Sequence, residues 1–321
     1  MRFLCVGSAV QDVFLSQSDA FEPVHLENKW FEHLELGQKF DVNKIDFSTG
    51  GGATNAAVTF ARQSQEVVFL GTVGRDPAGI AVLQDLDREG IDTSFVSYSR
   101  RYNTAYSVLL LAPNGERTIL TYRGASTHFD KNSFHLDKIG KIDWLYMTSL
   151  AGDFEILQQV FSEAKAIGVK IAFNPGKGEL SKPERMSELL PMIDILITNK
   201  YEMSQIVSDE EDITKMARQA SKLVPIVVVT DGENGSAACD GRHLVRAGLY
   251  NNLRRTVDRT GAGDAFGSGF VFAISQGKNL MEAVKFASAN SNEVCQQIGA
   301  KAGILRSNAK VHDMPMQAWK I

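Results

Sequence analysis

The chain has 321 residues, 44% of them apolar and 22% charged, with 34 Lys and Arg against 38 Asp and Glu for a net charge of −4. No Lys/Arg-rich run is present, which leaves nucleic-acid and membrane-surface roles without electrostatic support and favours small-molecule chemistry. Cys5, Cys239 and Cys295 lack CxxC spacing, which argues against zinc and against a disulfide framework. The N-terminal apolar run is too short for a signal peptide and no stretch approaches ~18 apolar residues, so a cytoplasmic protein is expected.

In chain order, RFLCVG (2–7) reads as a buried strand, and residues 13–47 follow as alternating strand-like runs without helix caps. The spacing predicts a helix over Ala53–Gln63, a strand over 67–74 and a helix over Ala78–Glu89. Residues 95–122 return to strand-like alternation, with a hairpin turn at Pro113-Asn114-Gly115-Glu116. Beyond it lie a strand (143–150), a helix (Phe154–Ile167), strands 170–174 and 194–199, helices Lys200–Val207 and Ile213–Leu223, a strand (226–232), and helices over 263–276 and 279–297. Strands alternating with helices imply right-handed crossovers and a mainly parallel sheet covered on both faces, with ligands at the C-terminal strand ends. The segments 13–47 and 95–122 would form a small β sheet beside it, as a lid or an edge extension.

The stretch DRTGAGDAFGSGF (258–270) places Gly261, Gly263, Gly267 and Gly269 around Asp264 just as an apolar helix begins. Free N–H groups and the partial positive charge of a helix N-terminus make such a turn an anion site, and glycines let the backbone approach an oxyanion. A carboxylate there is repelled by phosphate, unless it takes the proton of an alcohol attacking a phosphoryl group. The structural alternative is Asp264 as a helix cap. Gly261-x-Gly263-x-x-x-Gly267 misses the G-x-G-x-x-G spacing by one residue, and no G-x-x-x-x-G-K-[ST] occurs, which demotes dinucleotide oxidoreductases and P-loop NTPases.

VDRTGAGDAFGSGF closely resembles the C-terminal signature of the ribokinase family, the PfkB carbohydrate kinases, usually D-T-x-G-A-G-D. GGGATNAAVTFAR (50–62) with VGRDPAG (73–79) resembles that family's N-terminal signature, and GSAVQD (7–12), FNPGKGEL (173–180), TNKYE (198–202), VVVTDGENG (227–235) and ASAN (287–290) follow its order across essentially the whole chain. The resemblance implies a ribokinase-like three-layer αβα sandwich with a mainly parallel central sheet and a small β-sheet lid, in one domain spanning 1–321. It implies an ATP-dependent kinase acting on a primary hydroxyl of a sugar, with a nucleoside kinase as the alternative and an idle sugar- or nucleotide-binding regulator as a third reading.

Position by position, the resemblance makes Asp264 the base and Gly261, Ala262 and Gly263 the anion hole. Asp12, Gly50, Gly51 and Asn55 would hold substrate hydroxyls, an amide and a carboxylate being able to donate to and accept from a diol. Asn199 and Glu202 would organise Mg²⁺ through water. Thr230 and Gly232 would meet the nucleotide's phosphates and ribose, and Asn290 would pack its adenine. A monovalent cation such as K⁺ near IGAKAG (298–303) is left open. The family's usual first Thr is Arg259 here, facing a nucleotide phosphate or solvent. Gly52 stands where a Lys is common, which argues against a phosphorylated acceptor. Asp153 reads as a helix cap. The aromatics Phe14, Phe21, Trp30, Phe31, Phe40 and Phe47 would either stack a nucleobase or form a homodimer interface through the lid.

Overall fold

The computed structural model describes residues 1–27, 29–113, 116–131, 134–207, 210–250 and 256–321. Its N-terminal half contains β1 (Arg2–Val6), β2 (Val10–Ser16), β3 (Val24–Leu26), β4 (Lys29–Phe31), β5 (Lys44–Gly50), α1 (Gly52–Arg62), β6 (Glu66–Leu70), β7 (Thr72–Gly74), α2 (Pro77–Arg88), β8 (Ser97–Ser99), β9 (Ala105–Leu111), β10 (Arg117–Tyr122) and β11 (Trp144–Thr148). The second half continues with α3 (Phe154–Ala166), β12 (Lys170–Asn174), α4 (Lys177–Leu180), α5 (Pro183–Leu189), β13 (Ile195–Asn199), α6 (Lys200–Met203), α7 (Ile213–Ala220), β14 (Ile226–Thr230), β15 (Ser236–Cys239), β16 (His243–Ala247), α8 (Ala262–Ser275), α9 (Leu280–Val294) and β17 (Met316–Lys320).

The main sheet runs β17-β16-β15-β14-β13-β12-β11-β1-β6. From β14 to β6 all pairings are parallel, whereas β15, β16 and β17 add antiparallel to one edge. Its central strands are apolar on both faces because both faces are covered. On β1, Leu4 and Val6 join one core with Leu157 and Phe161 of α3 and Met216 of α7. Phe3 and Cys5 join the other with Ala56 and Phe60 of α1, Phe270 of α8 and Val284 of α9. Three layers result.

A separate four-stranded sheet, β10-β9-β2-β5, draws on both segments expected to form the lid. It starts at Val10, so Asp12 lies on the lid sheet itself, opposite Ser48 on one side and Ser107 on the other. β9 and β10 pair as a hairpin, closed by Ala112 N–H to the Glu116 carbonyl at 3.0 Å. The Asn114-Gly115 centre of the expected turn lies outside the described residues.

The expected strand 67–74 is two strands. It breaks at Gly71, whose Cβ would stand 2.5 Å from the Phe69 ring and 2.7 Å from the Gly7 carbonyl, and β7 leaves the main sheet to pair with β8. The helix expected over Lys200–Val207 keeps only the short α6. Asp153 caps α3, accepting from Ile156 N–H at 3.2 Å.

Candidate active site

The site is built where two glycine-started helices, α1 and α8, point their N-termini at the same region above β1 and β11. Gly51 caps α1 at φ +106, and a Cβ there would lie 2.4 Å from the Ser8 carbonyl. Gly261 caps α8 in the left-handed region at φ +77, with Ala300 so close that a Cβ would meet its Cβ at 2.4 Å. Both positions admit only glycine. The loop before α8 is pinned by the buried Asp258, whose carboxylate accepts from Thr260 N–H at 3.0 Å, Thr260 Oγ1 at 2.7 Å and Gly299 N–H at 3.1 Å. No side chain caps α8, and the Gly263 and Asp264 amides find no acceptor among the described residues. Gly263 faces open space. This is the free N–H cluster an oxyanion seeks.

Asp264 is not the cap of α8. It stands in the first helical turn, and its Oδ2 accepts from Asn55 Nδ2 of α1 at 2.8 Å. Burial pushes the carboxyl above its usual range, opposed by the Asn55 hydrogen bond. Asn55 Oδ1 is buried with no donor among the described residues, beside the carboxylate its own amide holds. Gly52 opens the same corner: a Cβ there would sit 3.2 Å from Asp264 Oδ1 and 3.1 Å from Thr148 Cγ2.

Asp12 closes the floor. Gly50 runs alongside it so tightly that a Cβ would lie 2.3 Å from Asp12 Oδ2. Asp12 is 6% exposed, and burial pushes its carboxyl up to about 6, with Ser107 and Lys301 pulling it down and Asp258 and Asp264 pushing it up. Asp12, Gly50, Gly51, Asn55 and Asp264 are thus brought together.

Asn199 and Glu202 form a reciprocal cap of α6, Glu202 N–H donating to Asn199 Oδ1 at 2.8 Å and Asn199 N–H to Glu202 Oε2 at 2.9 Å. Burial, then the nearby Asp264 charge, push the Glu202 carboxyl up. The Glu202 carboxylate is half-buried and can accept from a cation's water shell. No group of three or more His, Cys, Asp or Glu suited to hold a metal ion occurs among the described residues.

Beside α8 a cavity of about 480 Å³ is lined by Thr230, Gly232, Arg259, Ala262, Gly263, Phe266, Ser288, Ser291, Asn292 and Cys295, among others. Arg259 is among the cavity's lining residues, and its side chain is largely exposed and pairs with Glu233. Asn290 does not line it. Its side chain is fully buried, Nδ2 donating to the Ala265 carbonyl at 2.8 Å and Oδ1 accepting from Leu305 N–H at 2.8 Å, so it ties α9 to α8 and cannot pack a base. Asn292 faces the cavity instead, with Nδ2 buried and unpartnered among the described residues. Its signal was present as a polar stripe on α9, Ser288, Ser291, Asn292 and Cys295 at helical spacing. Of the aromatics, Phe14 and Phe21 are core residues, while Trp30, Phe31, Phe40 and Phe47 are exposed.

A profile of pfkB family carbohydrate kinases matches residues 19–306. The chain is 28% identical over 279 residues to the ribokinase of Haemophilus influenzae, covering 84% of this chain and 88% of that protein. The crystal structure of adenosine kinase from Sinorhizobium meliloti superposes with a TM-score of 0.75 at 22% identity, covering 93% of this chain and 95% of that one. Ribokinase from Cryptococcus neoformans, solved in complex with ADP, superposes with a TM-score of 0.72 at 21% identity, covering 96% and 97%.

Proposed function

Since the chain belongs to the pfkB family of carbohydrate kinases, and so is a phosphotransferase acting on an alcohol group, we propose that it transfers the γ-phosphoryl group of ATP to a primary hydroxyl of a sugar, with Asp264 as the base. The observation that carries this reading is the meeting of Asp264, held by Asn55, with the uncapped N-terminus of α8. In it the acceptor hydroxyl lies against Asp264, which takes its proton as the oxygen attacks the γ-phosphorus and the bond from that phosphorus to the β–γ bridging oxygen breaks, releasing ADP. The Gly263 and Asp264 amides stabilise charge on the transferred group. A carboxyl whose proton affinity is raised by burial is the better base.

Asp12, Asn55 and the backbone at Gly50 and Gly51 orient the sugar, and an acceptor hydroxyl would supply the donor that Asn55 Oδ1 lacks. The 480 Å³ cavity takes the nucleoside part of ATP, with Thr230 and Gly232 toward its phosphates and ribose and Asn292 toward its base. Asn199 and Glu202 would hold the waters of Mg²⁺, which supplies charge neutralisation between the phosphates. Exposed Ile45, Phe47, Leu120 and Tyr122 on the lid sheet support a homodimer through that face, and three unbonded cysteines suit a reducing cytoplasm.

The test is ATP consumption with Mg²⁺ and, in turn, free pentoses and hexoses, 2-keto-3-deoxy acids, sugar phosphates and nucleosides. Free sugars are expected to turn over fastest and sugar phosphates poorly, because a side chain at position 52 would abut Asp264 and none brings positive charge there. Nucleosides as the best class would establish the nucleoside-kinase alternative. No turnover with any class would leave a ligand-binding regulator.

A further inference from the structure

Asn55 and Asp264 hold each other across α1 and α8, and each has a hydroxyl residue one helical turn below it, Thr59 on α1 and Ser268 on α8. Residues four apart lie one above the other on a helix face, so each helix turns this face to the other. The second pair meets as well. Thr59 Oγ1 and Ser268 Oγ stand 2.8 Å apart, and both residues are fully buried. Two contacts one turn apart set α1 and α8 side by side and parallel, in matched register, with both N-termini at the site.

α8 is closely fitted on its other sides. A Cβ at Gly267 would lie 2.8 Å from the Tyr146 hydroxyl of β11, and one at Gly269 would lie 3.3 Å from Ala287 Cα of α9. Between these two glycines, toward α1, stands Ser268. Its hydroxyl donates to the Asp264 carbonyl at 2.6 Å. A hydroxyl has one hydrogen, so the hydrogen between the two hydroxyls comes from Thr59, whose oxygen is left to accept from Asn290 Nδ2 of α9 at 3.4 Å. Asn290 is itself anchored, its Oδ1 accepting from Leu305 N–H at 2.8 Å. The chain Asn290, Thr59, Ser268 thus crosses three helices and ends on the backbone of Asp264. Apolar contacts alone would let α1 slide or rotate on α8, and a slip of one residue is about 1.5 Å along the axis. Buried hydrogen bonds are directional and admit one register.

We propose that Thr59 and Ser268 are positioning residues for the transfer step: their buried contact sets the register of α1 on α8 and so holds the Asn55 amide on the Asp264 carboxylate at the mouth of the two helices. This rests on the reading of Asp264 as the base. With the amide displaced, the carboxylate is free to turn from the attacking hydroxyl, and a misplacement of about 1 Å costs a rate of the order of 10²-fold.

The experiment is a double-mutant cycle on kcat at saturating acceptor and ATP, with thermal unfolding alongside, in wild type, Thr59→Val, Thr59→Ser, Asn55→Ala, Asn55→Ala with Thr59→Val, and Asp264→Asn. Thr59→Val keeps the outline of the side chain and removes the hydroxyl, and is expected to lower kcat roughly tenfold with ATP KM within about twofold of wild type. Thr59→Ser loses a buried methyl group, and with it some unfolding temperature, but keeps the hydroxyl and is expected to keep kcat within about twofold. In the Asn55→Ala background, Thr59→Val should cost less than about threefold, because the contact it serves is already gone. Unchanged kcat in Thr59→Val, an equal loss in Thr59→Ser, or the same loss with and without Asn55 would overturn the proposal. Should Thr59→Val not fold, Ser268→Ala removes the other hydroxyl with a better helix former and takes its place in each comparison. Turnover preserved in Asp264→Asn would refute the assignment of the base instead, whatever Thr59→Val shows.

Discussion

Gly50→Ala adds one methyl group against the carboxylate proposed to hold the acceptor. The added Cβ would lie 2.3 Å from Asp12 Oδ2 and 3.4 Å from its Cγ, about 1 Å inside van der Waals contact with the oxygen. Asp12 is 6% exposed, so the carboxylate has little space to swing into, and the two residues sit on paired strands. Overpacking of this kind costs roughly 1–3 kcal/mol of stability. A carboxylate turned from its ligand forfeits charged hydrogen bonds worth about 1.5–3 kcal/mol, a loss of roughly 10- to 150-fold in acceptor kcat/KM. The assay varies acceptor at saturating ATP and ATP at saturating acceptor, with thermal unfolding alongside. Gly263→Ala is the control for stability, since its Cβ meets nothing within 4 Å and Ala is the better helix former. Acceptor kcat/KM within twofold of wild type in Gly50→Ala, or equal losses for both substrates, would refute the placement of the acceptor against Asp12.

Asp12 also links stability to pH. Its folded carboxyl binds a proton more tightly than an unfolded one, so its ionisation destabilises the fold as pH rises from the ordinary carboxylate range through about 6. Asp12→Asn should therefore gain unfolding temperature relative to wild type by a few degrees more at pH 8 than at pH 4 while losing acceptor affinity, and a pH-independent difference in melting would contradict this. Asn290→Ala and Asn292→Ala separate the two asparagines of α9. The first should cost about 1–3 kcal/mol of stability, because it strips a buried donor and acceptor, with ATP KM little changed; the second should raise ATP KM severalfold with the fold intact. Reversed effects would return the base-binding role to Asn290.

Most of the parallel sheet was legible because doubly covered strands are continuous apolar runs bounded by turn residues, as in KIAFN and IVVVTDG. The antiparallel strands β15, β16 and β17 were not read, since SAAC is short and built of small residues and MQAWK is a mostly exposed outer strand whose pairing depends on distant sequence. At the site, the glycines at the mouths of α1 and α8 could be read because positive φ and close backbone approach demand them, and Asp264 stood out as a carboxylate among them. Asn290 and Asn292 could not be ranked by motif order, since two residues on a helix differ by about 200° in direction and only packing tells which is inside. The burial of Lys301 carried no local signal, as the groups that hold its ammonium, Thr49 and Asp85, lie more than 200 residues upstream.

The most direct measurement is turnover and nucleotide affinity in Asp264→Asn, which keeps the shape of the side chain and removes the base. The account predicts a fall in kcat of roughly 10²–10⁴ with ATP affinity within about twofold of wild type, because the helix amides and the cavity beside α8 remain. Turnover within tenfold of wild type would contradict it, and so would a loss confined to nucleotide binding.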